Sequence, residues 1–392
     1  MPRALARYRT FFGRPDVARL VLMAFVARMP IGMLSLALLM HLRAATQSFA
    51  FAGAVVGAYL VAMAAAAPIQ GRIVDRYGPT VLLRVNGVVH TLALIGLWMV
   101  PAPWLPQALI TVLAMLAGAF IPPIPVLTRT LWRQRFEGDV RRMAFALDSV
   151  SIELNYTLGP ALIALLLAIA SARVALGAAI AFAAAAAPLF LFSPARRYWR
   201  VEGVVERHLL GPLTQPQLVR LYACNFALTF GLGLLEVAYP GFSARLDRPA
   251  MGGVLIAVNS IGSAIGGIAY GGLHLAPSPE RQLRYGLALL SLPIALHALT
   301  TSFAVMLPLA LVSGLMVAPS FTIVSMLVSQ HAPARYATEA FTWSSTGIVA
   351  GIGAGMAAGG TIIERVGPAS AFVLSAAAML VAALIASGVR AR

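Results

Sequence analysis

Apolar runs of about twenty residues, separated by short polar or glycine-proline breaks, recur along this chain from end to end. A run of that length crosses the hydrocarbon core of a bilayer as a helix. Scanning for such runs predicts twelve spans, at 17–41, 50–69, 80–100, 104–127, 143–170, 174–193, 218–241, 250–272, 285–301, 303–328, 339–363 and 369–387. The breaks carry the arginines. With the N-terminus inside, 23 arginines fall in cytoplasmic segments and 5 in external ones, and Arg28 lies within a span. That asymmetry is the positive-inside pattern, and it predicts both termini in the cytoplasm. The apolar run after the basic stretch Met1 to Arg19 is too long for a signal-peptide core, so this stretch reads as an uncleaved lead-in.

The longest polar stretch, Ser193 to Gln217, contains Arg196, Arg197, Arg200 and Arg207 and falls near the middle of the chain. It predicts two halves, 1–192 and 218–392, joined by a cytoplasmic linker at 193–217. Internal repetition agrees: Gly53 and Gly71 recur as Gly253 and Gly271, and Ala144-Phe145 with Gly159 recurs as Ala340-Phe341 with Gly355. The expected fold is an all-α membrane protein with twelve transmembrane helices in two pseudo-symmetric six-helix bundles.

Composition sharpens this. The chain is 60% hydrophobic and 11% charged, with a mean hydropathy of +0.86, whereas a soluble domain carries roughly a quarter charged residues. The net charge of +16 comes from arginines parcelled out between apolar runs, so it reads as membrane topology and not as a nucleic-acid surface. The single cysteine, Cys224, excludes an internal disulfide. There is no His-Glu-x-x-His, no Gly-x-Ser-x-Gly and no cluster with metal-ligand spacing, which argues against an enzyme and against a metal site. No filter-like loop points to a channel. The expected partners are the lipid bilayer and a small-molecule substrate, with the protein a monomer.

The break between spans 2 and 3 is the most specific. Gly71-Arg72-Ile73-Val74-Asp75-Arg76-Tyr77-Gly78 packs four ionisable side chains between two glycines, and such a turn cannot sit in hydrocarbon. Gly71, Asp75, Arg76, Gly78 and Arg84, with Pro79 where a basic residue usually falls, resemble the Gly-x-x-x-Asp-Arg-x-Gly-Arg loop of the major facilitator superfamily of secondary transporters. In span 5, Gly159-Pro160 resembles the centre of the Gly-x-x-x-Gly-Pro-x-x-Gly-Gly motif of the family's proton-coupled exporters, with Ile163 and Ala164 at its end. The arginine that those exporters carry in span 4 has no counterpart between Leu109 and Thr128. The resemblance implies two bundles that rock about a central site, with spans 2, 5, 8 and 11 meeting between them. It also implies a conformational gate built from Gly71, Asp75, Arg76, Gly78, Arg84, Gly159 and Pro160, in which Asp75 pairs with an arginine or with the start of span 11. The glycines at 53 and 57, at 262, 266 and 267, and at 351, 355 and 359 would supply smooth faces for the rocking.

A charge at mid-membrane is costly unless paired or hydrated, so each one is a candidate site. Arg28, halfway along span 1, is expected to face a polar cavity, and a structural bridge inside the bundle is the alternative. On a helix, Asp148, Asn155 and Gly159 stack along one stripe while Glu153 and Pro160 lie about 140° around. Asp148 is expected to pair with an arginine of the 71–84 loop. Glu153 is the better proton carrier, since burial favours the neutral carboxyl and a nearby arginine the charged one. A permanent Glu153–Arg28 bridge stays open as the alternative. Glu236 in span 7, with Tyr239 and Pro240, is expected at an extracellular gate or hydrated at the mouth. The proton-coupling candidates are thus Glu153, Arg28, Asp148 and Glu236. The candidate pocket liners are Arg28, Asn155, Tyr156, Tyr222, Asn225, Asn259 and Trp343, while His90, His297 and Glu339 read as structural.

These expectations combine into proton-coupled efflux of a small amphiphilic drug or metabolite across the bacterial inner membrane. The proton gradient supplies the energy and no cofactor is required. Proton-coupled uptake of a small nutrient shares the fold and stays open, as does a non-transporting membrane scaffold.

Overall fold

The computed structural model describes residues 8–47, 49–100, 106–200, 211–248, 251–273 and 277–390. Arg207, in the expected linker, lies outside these residues. Twelve long helical elements follow one another: α1 (Val17–Thr46), α2 (Phe49–Tyr77), α3 (Pro79–Trp98), α4 (Gln107–Arg135), α5 (Gly138–Ile169), α6 (Ala172–Phe192), α7 (Pro216–Arg245), α8 (Met251–Gly272), α9 (Pro279–His297), α10 (Phe303–His331), α11 (Ala337–Arg365) and α12 (Pro368–Ser387). Among the described residues, eleven of these are long and apolar enough to cross a membrane. The other, α9, opens on Glu280, Arg281, Gln282 and Arg284, which lower its hydropathy, yet it occupies the ninth position as a 19-residue helix.

Local chemistry sets the breaks. Gly78 has φ 77°, which only glycine adopts without strain, and Pro79 then starts α3 at a position where its missing N–H costs nothing. The same glycine-proline pair, Gly367 and Pro368, divides α11 from α12. Two elements are interrupted midway. α4 is Gln107–Ala119 followed by Ile124–Arg135, broken by Pro122 and Pro123; α10 is Phe303–Gly314 followed by Val317–His331. α4 therefore runs eight residues beyond the predicted span, a difference with functional weight.

The helices form two six-helix bundles. In the first, α1 packs on α2, α5 and α6, α2 on α4, and α3 on α4 and α6; in the second, α7 packs on α11 and α12, α8 on α10, and α9 on α12. Between the bundles, α5 meets α8 and α10, and α11 meets α2 and α4. The expected meeting of spans 2, 5, 8 and 11 is thus present. The expected role of their glycines is not, for most of them. Gly351, Gly355 and Gly359 pack on α7, and Gly262 and Gly266 on α10, all inside the second bundle. They let helices of one bundle approach closely instead of making a sliding surface. Gly267 and Gly271 do face the first bundle, against Val150 and Ala146.

Candidate functional site: a cleft, a latch and a buried charge cluster

The bundles are fastened at one end, the end that carries the arginine-rich breaks. Asp75, in the last turn of α2, accepts the backbone N–H groups of Thr338 and Glu339 at 2.9 and 2.8 Å. Those are orphan donors of the first turn of α11, where a negative charge also meets the positive end of the helix dipole. Asp75 therefore has the second of its two expected partners. Gly71 is needed beside it: a Cβ there would press on Thr342 and on the Glu339 backbone. Arg72 adds an ion pair to buried Glu339 at 2.8 Å, so Glu339 does more than favour its own helix terminus.

Further ties at this end are Arg133 to the Ser329 and Ala332 carbonyls at 3.0 and 2.9 Å, Thr130 to Thr338, Arg142 to the Leu273 carbonyl, and Phe145 edge-on to Phe341. Tyr8, ahead of α1, donates its hydroxyl to the Ile268 carbonyl of α8 at 2.9 Å and fills the space that Gly271 leaves. Burial pushes the Tyr8 hydroxyl up to about 12, so it remains a donor. Arg76 instead lies over the Tyr77 ring, and Arg84 is exposed on α3; neither ties the bundles together in this state.

Behind the latch lies a buried cluster that the expected pairings miss. Asp148 accepts from Arg28, from Arg129 at 3.1 Å and from the Trp132 indole at 3.2 Å, while Arg28 also donates to Thr128. Arg28 is only 1% exposed. Two expectations are corrected here: Arg28 does not line a polar cavity but takes its alternative, a bridge inside the bundle, and Asp148 does not pair with the 71–84 loop. The other alternative, a Glu153–Arg28 bridge, is absent among the described residues. The physical reason is the second segment of α4. Proline ends its first segment, the chain restarts as Ile124–Arg135, and Thr128, Arg129 and Trp132 then lie on one face turned toward α1 and α5. An arginine of the fourth span is therefore present, two residues past the predicted limit at 127. The recurrence of Thr128, Arg129 and Trp132 at helical spacing is the signal that could have extended the span.

The ties described above all lie at the latched end; away from it the bundles part, with two acids between them. Glu153, 140° around α5 from the buried stripe, sits beside the Ser263 hydroxyl of α8. Glu236 of α7 is exposed and within electrostatic reach of both Glu153 and Tyr156. Tyr156 is 51% exposed. Neither Glu153 nor Glu236 has an ion-pair partner among the described residues.

The remaining candidates divide. Asn225 bonds Ser344 of α11, and Asn259 bonds Ala310 and Ser313 of α10, so these two amides bridge helices within the second bundle. Asn155, the Tyr222 hydroxyl and the Trp343 indole N–H are buried polar groups without a hydrogen-bond partner among the described residues. Gly159 packs directly on Gly32 of α1, so with Pro160 it fixes a crossing inside the first bundle. Tyr239 is buried against His297, which places it away from a gate with Glu236. His90 bonds the Ala117 carbonyl at 2.7 Å, and His297 the Pro293 carbonyl; both are structural, as expected.

Two bundles, a latched end and a cleft between them find their match in one family. The family model "Major Facilitator Superfamily" matches residues 20–292. The chain belongs to the Major Facilitator Superfamily. Solved structures of that fold superpose over nearly the whole chain. The human organic anion transporter MFSD10 (TETRAN) has a TM-score of 0.74 at 17% identity, covering 95% of this chain and 100% of its own. A bacterial homologue of the iron transporter ferroportin, in an outward-facing state, has a TM-score of 0.76 at 13% identity, with 94% and 98% covered. The E. coli fucose:proton symporter FucP has 0.76 at 11%, with 97% and 100% covered. No curated protein sequence matches this chain significantly. As a superfamily member it is a multi-pass membrane transporter and not an enzyme.

Proposed function

We propose that this transporter exports a small amphiphilic drug or metabolite across the bacterial inner membrane in exchange for protons. Both termini and the latch lie in the cytoplasm, as the arginine distribution favours. The halves 1–192 and 218–392, joined by 193–217, are the rocking bodies, and the protein works as a monomer. In this orientation the latch closes the inner end while the cleft faces outward. The observation that carries the reading is the Glu153 carboxyl, which lies beside Ser263 of α8 where the two bundles meet and has no ion-pair partner among the described residues.

An outward-facing Glu153 takes up a proton and loses its charge, which removes the cost of enclosing it. The bundles then rock, Asp75 leaves the start of α11, and the proton is released inside. Arg28, Asp148 and Arg129 hold α1, α4 and α5 together so that the first bundle turns as one body; they are not themselves the proton carriers. Asn155, Tyr156, Tyr222 and Trp343 offer hydrogen-bonding groups to the substrate. Export is favoured over uptake by two features shared with the family's proton-coupled exporters, the Gly159-Pro160 pair in α5 and an arginine in α4.

Proteoliposomes with an imposed pH gradient test this. Candidates first selected by thermal shift on purified protein should move against the proton flow, and Glu153→Gln should lose the dependence on the gradient. Movement of substrate with the protons, or gradient-dependent flux that survives Glu153→Gln, would sink the proposal.

A further inference from the structure

Three arginines converge on one corner of the fastened end, where α1 begins and α6 finishes. Asp16, just ahead of α1, is the hub, and it accepts the Tyr198 hydroxyl at 3.1 Å. Arg19 of α1 stands 4.0 Å from one of its carboxylate oxygens, and Arg197, in the turn after α6, stands 4.0 Å from the other. Arg135, the last residue of α4, donates to the Pro15 carbonyl and lies over the Tyr198 ring at 3.7 Å. It has no carboxylate partner among the described residues. Three guanidinium groups against one carboxylate leave two surplus positive charges at this corner. Other arginines of the same end are engaged: Arg72 with Glu339, Arg133 with the Ser329 and Ala332 carbonyls, and Arg142 with Asp139. Arg19 and Arg197 differ, because their side chains are 81% and 78% exposed and meet Asp16 only at the limit of an ion pair. Pairs that exposed contribute little, and each guanidinium keeps donors for another acceptor.

The surface beside them is apolar. Leu22, one helical turn after Arg19 and on the same face of α1, is 63% exposed, and Phe192, the last residue of α6, is 89% exposed. α1 and α6 pack side by side, and both are long and apolar enough to span a membrane. Arginines at the ends of such helices stand at the level of lipid headgroups, and the apolar side chains next to them face acyl chains. A guanidinium fork suits a phosphate, to which it can donate two parallel hydrogen bonds. We infer that this corner binds an anionic phospholipid, with its headgroup phosphate between Arg19 and Arg197 and an acyl chain along Leu22 and Phe192. Arg135 stays on Tyr198 and adds its charge from behind. A zwitterionic lipid offers the same phosphate but brings its own ammonium group, which the surplus positive charge repels. The bound lipid ties the segment ahead of α1 to the turn after α6. It does so whatever the direction of transport or the coupling ion.

Dimyristoylphosphatidylglycerol and dimyristoylphosphatidylcholine, with the same acyl chains and different headgroup charge, provide the test, and inorganic phosphate is the third probe. Native mass spectrometry of the purified full-length protein in detergent follows lipid binding through a titration. The phosphatidylglycerol should bind more tightly than the phosphatidylcholine, and inorganic phosphate should not displace it. Arg19→Gln and Arg197→Gln should each weaken phosphatidylglycerol binding roughly fivefold. Arg19→Lys and Arg197→Lys, which keep the charge, should retain the preference for the anionic lipid. Arg281→Gln, at an exposed arginine in the first turn of α9 and outside this corner, is the control and should leave binding unchanged. Thermal melting without added lipid confirms that the variants fold. Equal binding of the two lipids overturns the proposal. So does a loss in Arg281→Gln as large as in Arg19→Gln and Arg197→Gln, which would reduce the corner to general attraction between arginines and the bilayer. Displacement of the phosphatidylglycerol by inorganic phosphate would make this a site for the free ion and would overturn the lipid assignment.

Discussion

Removing the Asp75 carboxylate should release the latch, and the size of the effect follows from its two bonds. Asp75 accepts two backbone N–H groups at 2.9 and 2.8 Å across the bundle interface. A hydrogen bond to a charged group contributes about 1.5–3 kcal/mol. Because water can reach the half-buried site and take over part of the bonding, we expect Asp75→Ala to cost the latched state about 2–3 kcal/mol in total. At about 1.4 kcal/mol per tenfold, the ratio of latched to unlatched molecules falls by roughly 30- to 150-fold. A protein latched in about 99% of molecules would then become a mixture of comparable populations. Spin labels at Tyr77→Cys and Arg335→Cys, both exposed at the fastened end, report the separation in a Cys224→Ser background. The parent should give one short distance, and Asp75→Ala should add a longer one. Arg72→Ala is the comparison. Arg72 is 43% exposed, so its pair with Glu339 contributes about 1 kcal/mol or less and the distribution should shift only slightly. An unchanged distribution in Asp75→Ala, or an equal shift in both variants, would refute the reasoning.

Asp148→Asn leaves Arg28 and Arg129 buried as unneutralised like charges, and should destabilise the protein by about 3–5 kcal/mol; a large drop in thermal melting temperature in detergent, partly restored by adding Arg28→Met, checks this. Gly159→Val should disrupt the α1–α5 crossing, since even a Cβ there would overlap Gly32, and a loss of about 1–3 kcal/mol or more should appear in the same melting assay.

The parts of this transporter that are legible in its sequence are those governed by local chemistry. Gly78 and Pro79 announce a tight break, Asp75 sits where a helix terminus needs an acceptor, and runs of apolar residues announce each of the twelve helices. α9 is recognised only because its polar first turn leaves enough apolar length behind it. What could not be read was pairing between distant elements. Asp148 offers two lone-pair faces, and nothing in its neighbourhood along the chain says that α1 and the far segment of α4 each fill one. Arg129 was concealed by a limit drawn from hydropathy: a proline break resembles the end of a span, although the helix resumes after four residues. Glu153 could be separated from the buried stripe by helical geometry alone, whereas Asn225 and Asn259 could not be sorted, because an amide that bridges two helices and one that faces a substrate have the same sequence signature.

Tyr8 has a consequence for how this molecule can be handled. The segment just ahead of α1 belongs to one body but is stapled to α8 of the other, through the hydroxyl on Ile268 and the niche at Gly271. Spreading the fastened ends of the bundles must unseat that aromatic ring. An affinity handle or fluorescent fusion joined at the amino terminus would therefore pull on the staple itself, whereas the same appendage at the carboxyl terminus would leave the stapled segment untouched.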